Sequence, residues 1–449
     1  MHLYRKIEEK LSQWINTRKG LLVYGPRQVG KTYILKSFIK KHFNNHYYIN
    51  LFENVDAIET IIKSKDSKDF ILRLSALTDV VINTGDCIFI DEIQEYYTYL
   101  SKHKEITKYF DLLTGIKFIV EERKYRIIYS GSLLRLEMEN VISSPVGYVL
   151  PLEMFPLDFE EFLIANNVNK ELIAIAKDSF DNKKEVPEYI HEKFMDLFKK
   201  YLLVGGMPDA VSEFIDKNSF TAVENAHKSI NYFVKDDITK YALDNEKLKI
   251  KEIYNLIPTE LNSISKKFIL SHIPNHNKNN NEILSFTWLS NAGVVIPVYC
   301  INEPLIPLMT SSRRNQLKLF IEDVGLFTHI IVDSQIKTKI LDSSFNLNYG
   351  SIYETVTAEL LRCHGFNNLY YYNNKKYGEV DFIIEYQNKV LPIEIKSGKD
   401  YERHRGINNL LEINNYNINY GIVFYNGNYI KKDKIDYFPI YLIEFLRKE

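Results

Sequence analysis

The eight residues Gly25-Pro26-Arg27-Gln28-Val29-Gly30-Lys31-Thr32 meet every fixed position of the phosphate-loop pattern G-x-x-x-x-G-K-[ST]. A loop of this kind functions only between a buried strand and a helix, so it dictates local topology as well as chemistry. Both flanks agree with that demand. Leu21-Leu22-Val23-Tyr24 is an apolar, strand-like run, and Tyr33-Ile34-Leu35-Lys36-Ser37-Phe38-Ile39 carries its apolar residues at helical spacing. The two glycines let the backbone wrap a phosphate chain with its N–H groups turned inward. Lys31 can then reach the β- and γ-phosphates, and the Thr32 hydroxyl can hold a magnesium ion. The expected ligands are therefore ATP and Mg2+, with residues 25 to 32 as the cradle.

Downstream, Cys87-Ile88-Phe89-Ile90-Asp91-Glu92 is a short apolar strand ending in two acids, preceded by the turn-like Asn83-Thr84-Gly85-Asp86. A parallel strand buried on both faces reads as a continuous apolar run, and ligands of an α/β sheet sit at its carboxyl end. Asp91 is expected beside the metal, and Glu92 is expected to polarise a water for attack on the γ-phosphate. Alone, such a run reads equally well as a strand entering a helix cap. The complete phosphate loop about 60 residues earlier decides for the Walker B reading. Tyr125-Arg126-Ile127-Ile128-Tyr129-Ser130-Gly131-Ser132 has the same strand-then-polar form, and Ser130 is a candidate sensor of the γ-phosphate or the attacking water; the alternative is a plain Ser-Gly turn. Tyr47-Tyr48-Ile49-Asn50-Leu51 reads as a further strand and Phe70-Ile71-Leu72-Arg73-Leu74 as helix. Strands alternating with helices predict an α/β, doubly wound parallel sheet.

The chain of 449 residues exceeds one ordinary core; at roughly 150 residues per domain, about three domains are expected. Lys and Arg number 57 against 58 Asp and Glu, so no global field favours nucleic acid or an anionic membrane. Cys87, Cys300 and Cys363 are odd in number and have no paired spacing, which argues against a disulfide framework or a zinc site. Met1-His2-Leu3-Tyr4-Arg5-Lys6 leads straight into a charged amphipathic segment, and no apolar run approaches the roughly 20 residues of a membrane span. A cytoplasmic protein with no membrane partner is expected.

The phosphate loop, Ile-Phe-Ile-Asp-Glu-Ile-Gln at 88 to 94, Ser-Gly-Ser at 130 to 132 and Pro-Leu-Asp-Phe-Glu-Glu-Phe-Leu at 156 to 163 resemble a family of prokaryotic AAA-type ATPases. Leu203-Val204-Gly205-Gly206-Met207-Pro208 and Phe233-Val234-Lys235-Asp236-Asp237-Ile238 extend the resemblance over most of the chain. It implies an ATPase core followed by a C-terminal region of unknown function. Related chains often carry a basic residue after the Gly of a Pro-Val-Gly segment, whereas here Pro145-Val146-Gly147 is followed by Tyr148. Arg135 is then the nearest candidate arginine finger, or else a solvated helix residue, with Arg123 and Arg126 behind it. A finger supplied across an interface would require a homo-oligomer.

The core is expected over residues 1–157 and a helical lid over 158–245, where Glu192-Lys193-Phe194-Met195-Asp196-Leu197-Phe198 has helical spacing and Gly205-Gly206-Met207-Pro208 breaks it. Over 246–312, two short helices at Ile264–Leu270 and Phe286–Leu289, followed by the strand-like Val294–Tyr299, suggest a winged-helix-like module, as the resemblance also implies. Such a module can read DNA or serve as a packing unit. Over 313–449, Tyr377–Tyr386 and Lys389–Lys396 read as a β-hairpin turned at Gln387-Asn388. That register sets Asp381 opposite Glu394 and puts Lys396 on the same face. With Glu354 on a preceding helix, the set resembles a PD-(D/E)xK nuclease core, whose acids hold magnesium and whose lysine orients water. Ordinary charges on a half-exposed hairpin are the alternative, and a nuclease-like fold does not establish cleavage.

The reading is thus a Mg2+-dependent P-loop ATPase coupled to a C-terminal nuclease-like, nucleic-acid-binding or partner-binding region. Lys31 and Glu92 are the catalytic candidates, Thr32 and Asp91 the metal ligands. Two rivals stand: an ATP-regulated DNA endonuclease, and a nucleotide-gated binding or signalling protein without cleavage.

Overall fold

The computed structural model describes residues 2–132, 147–241, 246–273, 282–332, 334–341 and 349–448. The chain divides into two compact units: the first holds Tyr4–Phe155 with Asn291–Gly293, the second Met1–Leu3, Pro156–Ser290 and Val294–Glu449.

In the first unit, β1 (Gly20–Tyr24), β2 (His46–Asn50), β3 (Cys87–Asp91), β4 (Arg126–Gly131) and β5 (Val149–Glu153) form one sheet in the order β2-β3-β4-β1-β5. Every neighbouring pair is parallel. The apolar runs form strands because both faces are covered: Leu21, Leu22, Val23, Cys87, Ile88, Phe89 and Ile90 are all buried. On one side, Ile58 and Ile61 of the Val55–Ile62 helix, Phe70 and Leu74 of the Ser67–Leu77 helix, and Ile116 of the Leu112–Glu122 helix fill the core. Asn54 and Asp66 start the first two of these helices by accepting bonds from backbone N–H groups that the first turn leaves unpaired. The order matters for function. With β4 inserted between β1 and β3, the phosphate loop, Ser130 and Asp91 emerge together at the carboxyl ends of adjacent strands.

Apart from Asn291–Gly293, the second unit takes in the stretches that the sequence divides into lid, winged-helix-like and nuclease-like portions. Its helices include Glu188–Val204, Pro208–Lys217 and Phe220–Tyr241. The break at Gly205-Gly206 has a packing cause. A Cβ on Gly205 would lie 2.4 Å from Asp323 Oδ1, and one on Gly206 would lie 2.1 Å from the Leu157 carbonyl oxygen. The Gly206 N–H donates to Asp323 Oδ2 at 2.6 Å, and Pro208 then opens the next helix where its missing N–H costs nothing.

The strands of this unit are β6 (Val295–Ile301), β7 (Ser312–Ile321), β8 (Leu369–Asn374), β9 (Gly378–Tyr386), β10 (Lys389–Ile395), β11 (Gly421–Tyr425), β12 (Ile430–Lys432) and β13 (Ile435–Pro439). They make one mixed sheet in the order β12-β13-β11-β10-β9-β8-β6-β7. The ribbon expected as a wing within 246–312 involves β6 and β7 of this sheet. The ribbon β6–β7 is not a free wing, because β6 pairs in parallel with β8 over Val298–Ile301, and a boundary at 312 would cut β7 from its partner. Residues 264–269 are irregular where a helix was expected, with Lys266 at φ 51° and only a 3₁₀ turn at Leu270–His272. Phe286–Leu289 does lie in a helix, Glu282–Asn291. No helix among the described residues is long and apolar enough to cross a membrane.

Candidate functional site

The phosphate loop runs from β1 into the Lys31–His42 helix, and its backbone needs its glycines at two points. Gly25 has φ 143°, and a Cβ there would sit 2.0 Å from the carbonyl oxygen of Met154, which follows the neighbouring strand β5. Gly30 has φ 91° and begins the helix. Gln28, not a glycine, also lies at positive φ, 61°. Arg5 braces the loop from behind, donating to the Val29 carbonyl at 2.9 Å. Lys31 is buried, and its ammonium donates to the Gly25 and Pro26 carbonyls at 3.0 and 2.7 Å, so it is folded into the hollow that the loop encloses.

Asp91 is the centre of the arrangement. Its Oδ2 accepts from the Thr32 hydroxyl at 2.7 Å and from the Tyr48 hydroxyl at 3.1 Å, while Oδ1 accepts from the Ser130 hydroxyl and from the Glu92 N–H at 3.1 Å. The register explains the convergence: Ile90 pairs with Tyr129 and Val23 with Ser130, which brings the three strand ends level. Burial, then the Asp91 charge, pushes the Tyr48 hydroxyl pKa up, which keeps it a donor. Thr32 and Asp91 both offer oxygen to one point, a hard donor set that suits Mg2+, usually bound by one or two protein oxygens with water and phosphate completing the shell.

Glu92 sits at φ 56°, a conformation that an L-residue adopts at some strain. The next N–H, of Ile93, donates to the Ser130 carbonyl at 2.9 Å and turns the chain across the strand ends. Gln94, fully buried, donates from its amide to Glu92 Oε2, and lies 3.3 Å from the Ser132 hydroxyl, which also accepts from Arg27 Nε at 3.3 Å. A chain of bonds therefore joins the acid to the phosphate loop. Gln94 and Tyr48 were not expected as site residues. Arg126, one finger candidate, is committed elsewhere: it donates to the Thr17 and Trp14 carbonyls and lies 4.2 Å over the Trp14 ring. Arg135 lies outside the described residues.

In the second unit, the hairpin turns through Gln387 and Asn388 at φ 48° and 59°, a type I′ signature. The pairing Ile393–Phe382 continues to Glu394 opposite Asp381, and Asp381 Oδ2 accepts from the Ile395 N–H at 2.9 Å. Lys396 Nζ lies 2.9 Å from Glu394 Oε1. Glu354 comes from the Gly350–Cys363 helix and is buried. The four residues share one charged cluster, since Glu354 acts on Asp381 and both act on Glu394 and Lys396. Two further lysines join it. Lys318 of β7 is fully buried, 3.3 Å from Glu354 Oε2 and 2.9 Å from Glu379 Oε1, and Lys266 pairs with Glu354 Oε1. Burial, then the Glu354 charge, raises the Asp381 pKa; burial, then Asp381, raises that of Glu394. Burial works in the same direction on Glu354, but Lys318 and Lys266 outweigh it and hold that carboxyl below its ordinary range.

Residues 17–163 match the family described as an AAA domain. The matched stretch contains the whole phosphate loop, residues 25 to 32. Residues 195–337 and 349–443 match two families described as domains of unknown function, DUF8612 and DUF4143. A protein of Methanocaldococcus jannaschii named "Uncharacterized protein MJ1544" is 26% identical over 444 residues, covering 96% of this chain and 87% of its own length. Among solved structures, the Walker-type ATPase PABY2304 of Pyrococcus abyssi is 15% identical with a TM-score of 0.41, covering 74% of this chain and 96% of its own. The Thermotoga maritima RuvB Holliday junction branch migration motor is 16% identical with a TM-score of 0.28, covering 70% and 92%.

Proposed function

We propose that this protein is a Mg2+-dependent P-loop ATPase whose nucleotide state governs the behaviour of its C-terminal unit. The observation that carries the reading is the meeting of Thr32, Ser130 and the phosphate loop on the single carboxylate of Asp91. In this reading Lys31 turns from the loop carbonyls to the β- and γ-phosphates, Thr32 and Asp91 hold Mg2+, Ser130 reports the γ-phosphate, and Glu92 aligns water. Binding is the first test. Lys31→Ala removes charge-assisted bonds worth about 1.5–3 kcal/mol, so calorimetric titration with MgATP should show affinity about 10- to 150-fold weaker. Equal affinity in the two proteins would remove Lys31 from the site.

A second reading, metal-dependent DNA cleavage by the C-terminal unit, is favoured by the cluster of Glu354, Asp381, Glu394 and Lys396. Linear, circular and branched DNA incubated with Mg2+ or Mn2+, with and without ATP, should then be cut by the native chain and left intact by Asp381→Ala and Lys396→Ala. Cutting that survives both substitutions, or no cutting of any substrate, rejects this reading and leaves the ATPase standing.

A further inference from the structure

Away from both charged clusters, Glu224, His227 and His329 place one ligand atom each within 4.8 Å of one another. Glu224 and His227 are three residues apart on the Phe220–Tyr241 helix, hence on one face, and His329 comes from the Val324–Ile331 helix. His227 Nε2 lies 2.9 Å from the Val204 carbonyl, which can only accept. Nε2 therefore carries the proton, and Nδ1 keeps its lone pair for the cluster, the arrangement that orients metal-binding histidines. His329 Nδ1 stands 3.0 Å from Glu224 Oε1, while Glu224 Oε2 finds no hydrogen-bond partner among the described residues. Glu224 is only 7% exposed, so an unmade bond there is costly.

We propose that Glu224, His227 and His329 form a Zn2+ site, for which the Lys337 amine is the competing internal cation. Two imidazole nitrogens and one carboxylate oxygen are a donor set that zinc favours, whereas Mg2+ and Ca2+ take oxygen shells. Bonds of about 2.0–2.2 Å to a tetrahedral centre set the donors roughly 3.4 Å apart. The three donor atoms already lie within 4.8 Å of one another, with His329 Nδ1 and Glu224 Oε1 at 3.0 Å, so reaching that spacing is a side-chain adjustment. Lys337 is fully buried, 3.4 Å from His227 Nδ1 and 3.9 Å from Glu224 Oε2, and donates to the Leu203 carbonyl at 3.1 Å. The fourth position is then open to that amine or to water. The other His-carboxylate group, Asp158, His364 and Glu444, is a weaker candidate, because Asp158 caps a helix and Glu444 already accepts from the Phe159 N–H and pairs with Arg447.

The test uses the untagged full chain, stripped with chelator and free of nucleotide, titrated with Zn2+ by calorimetry and with Co2+ by visible absorption. The expected result is one Zn2+ per chain more than a His227→Gln/His329→Gln variant binds, with the intense cobalt bands of four-coordination. Lys337→Met, which removes the competing charge, should tighten zinc about tenfold or more. If the double variant does not fold by circular dichroism, Glu224→Gln takes its place as the control. Identical zinc binding in the native chain, Lys337→Met and the folded control overturns the proposal.

Discussion

Glu92→Gln should leave MgATP affinity within about threefold of the native value and lower turnover by about 10²–10⁴, the range ascribed to a positioned general base. The two effects separate because the Glu92 side chain is not among those bonded to the Asp91 carboxylate; the hydroxyls of Thr32, Ser130 and Tyr48 are, and Glu92 reaches Asp91 only through its backbone N–H. The substitution keeps the size of the side chain and its contact with Gln94, and it removes only the capacity to accept a proton. The strained backbone at φ 56° is set by the Ile93 N–H bond to Ser130, which the substitution leaves intact. Phosphate release under saturating ATP measures the turnover, and calorimetry measures the binding. Turnover within threefold of native would sink the role of Glu92 and shift attention to the neighbouring network of Gln94, Ser132 and Arg27.

That network shows where sequence reading stops. Strands β1, β3 and β4 are legible because a parallel strand covered on both faces must be apolar throughout, and the loop glycines are legible because only glycine tolerates the backbone at Gly25 and Gly30. Asp91 follows from its place at a strand end. Tyr48 does not, because one tyrosine among 32 carries no mark until β2 is set beside β3. Gln94 reads as the start of a helix, and its buried amide becomes functional only once the chain turns over Ser130.

In the second unit the hairpin was legible for a local reason: a two-residue turn fixes register, and register fixes which side chains share a face. The merger of β6 and β7 into the same sheet was not, since the pairing of β6 with β8 joins segments far apart in the chain. Lys318 was hidden for a related reason. It lies between Leu317 and the run Leu319-Phe320-Ile321, where a lone lysine suggests an edge residue reaching solvent. Lys266 was concealed by the mistaken helix at 264–270.

Lys318→Met should be the most damaging single change to stability, at about 3–5 kcal/mol, the usual cost of removing one partner from a buried ion pair. Burial alone would drive the Lys318 ammonium toward neutrality, but Glu354, Asp381 and Glu379 outweigh it and raise its pKa, so the charge is required where it stands. Without it, Glu354 keeps Lys266 as a cationic partner, Glu379 loses its ion pair, and Asp381, whose pKa is already raised, loses a compensating charge. Urea unfolding of the full chain followed through the C-terminal transition measures the loss. The double variant Lys318→Met/Glu354→Gln should recover at least half of it, because the amide removes the uncompensated acid while keeping its shape. A single variant within about 1 kcal/mol of native, typical of an exposed pair, would show that Lys318 is not the buried counter-ion. The same cation bears on metal binding. A divalent ion can enter among Glu354, Asp381 and Glu394 only by displacing Lys318 or sharing its ligands, so Mn2+ affinity at this cluster should rise in Lys318→Met if the acids can serve a metal at all.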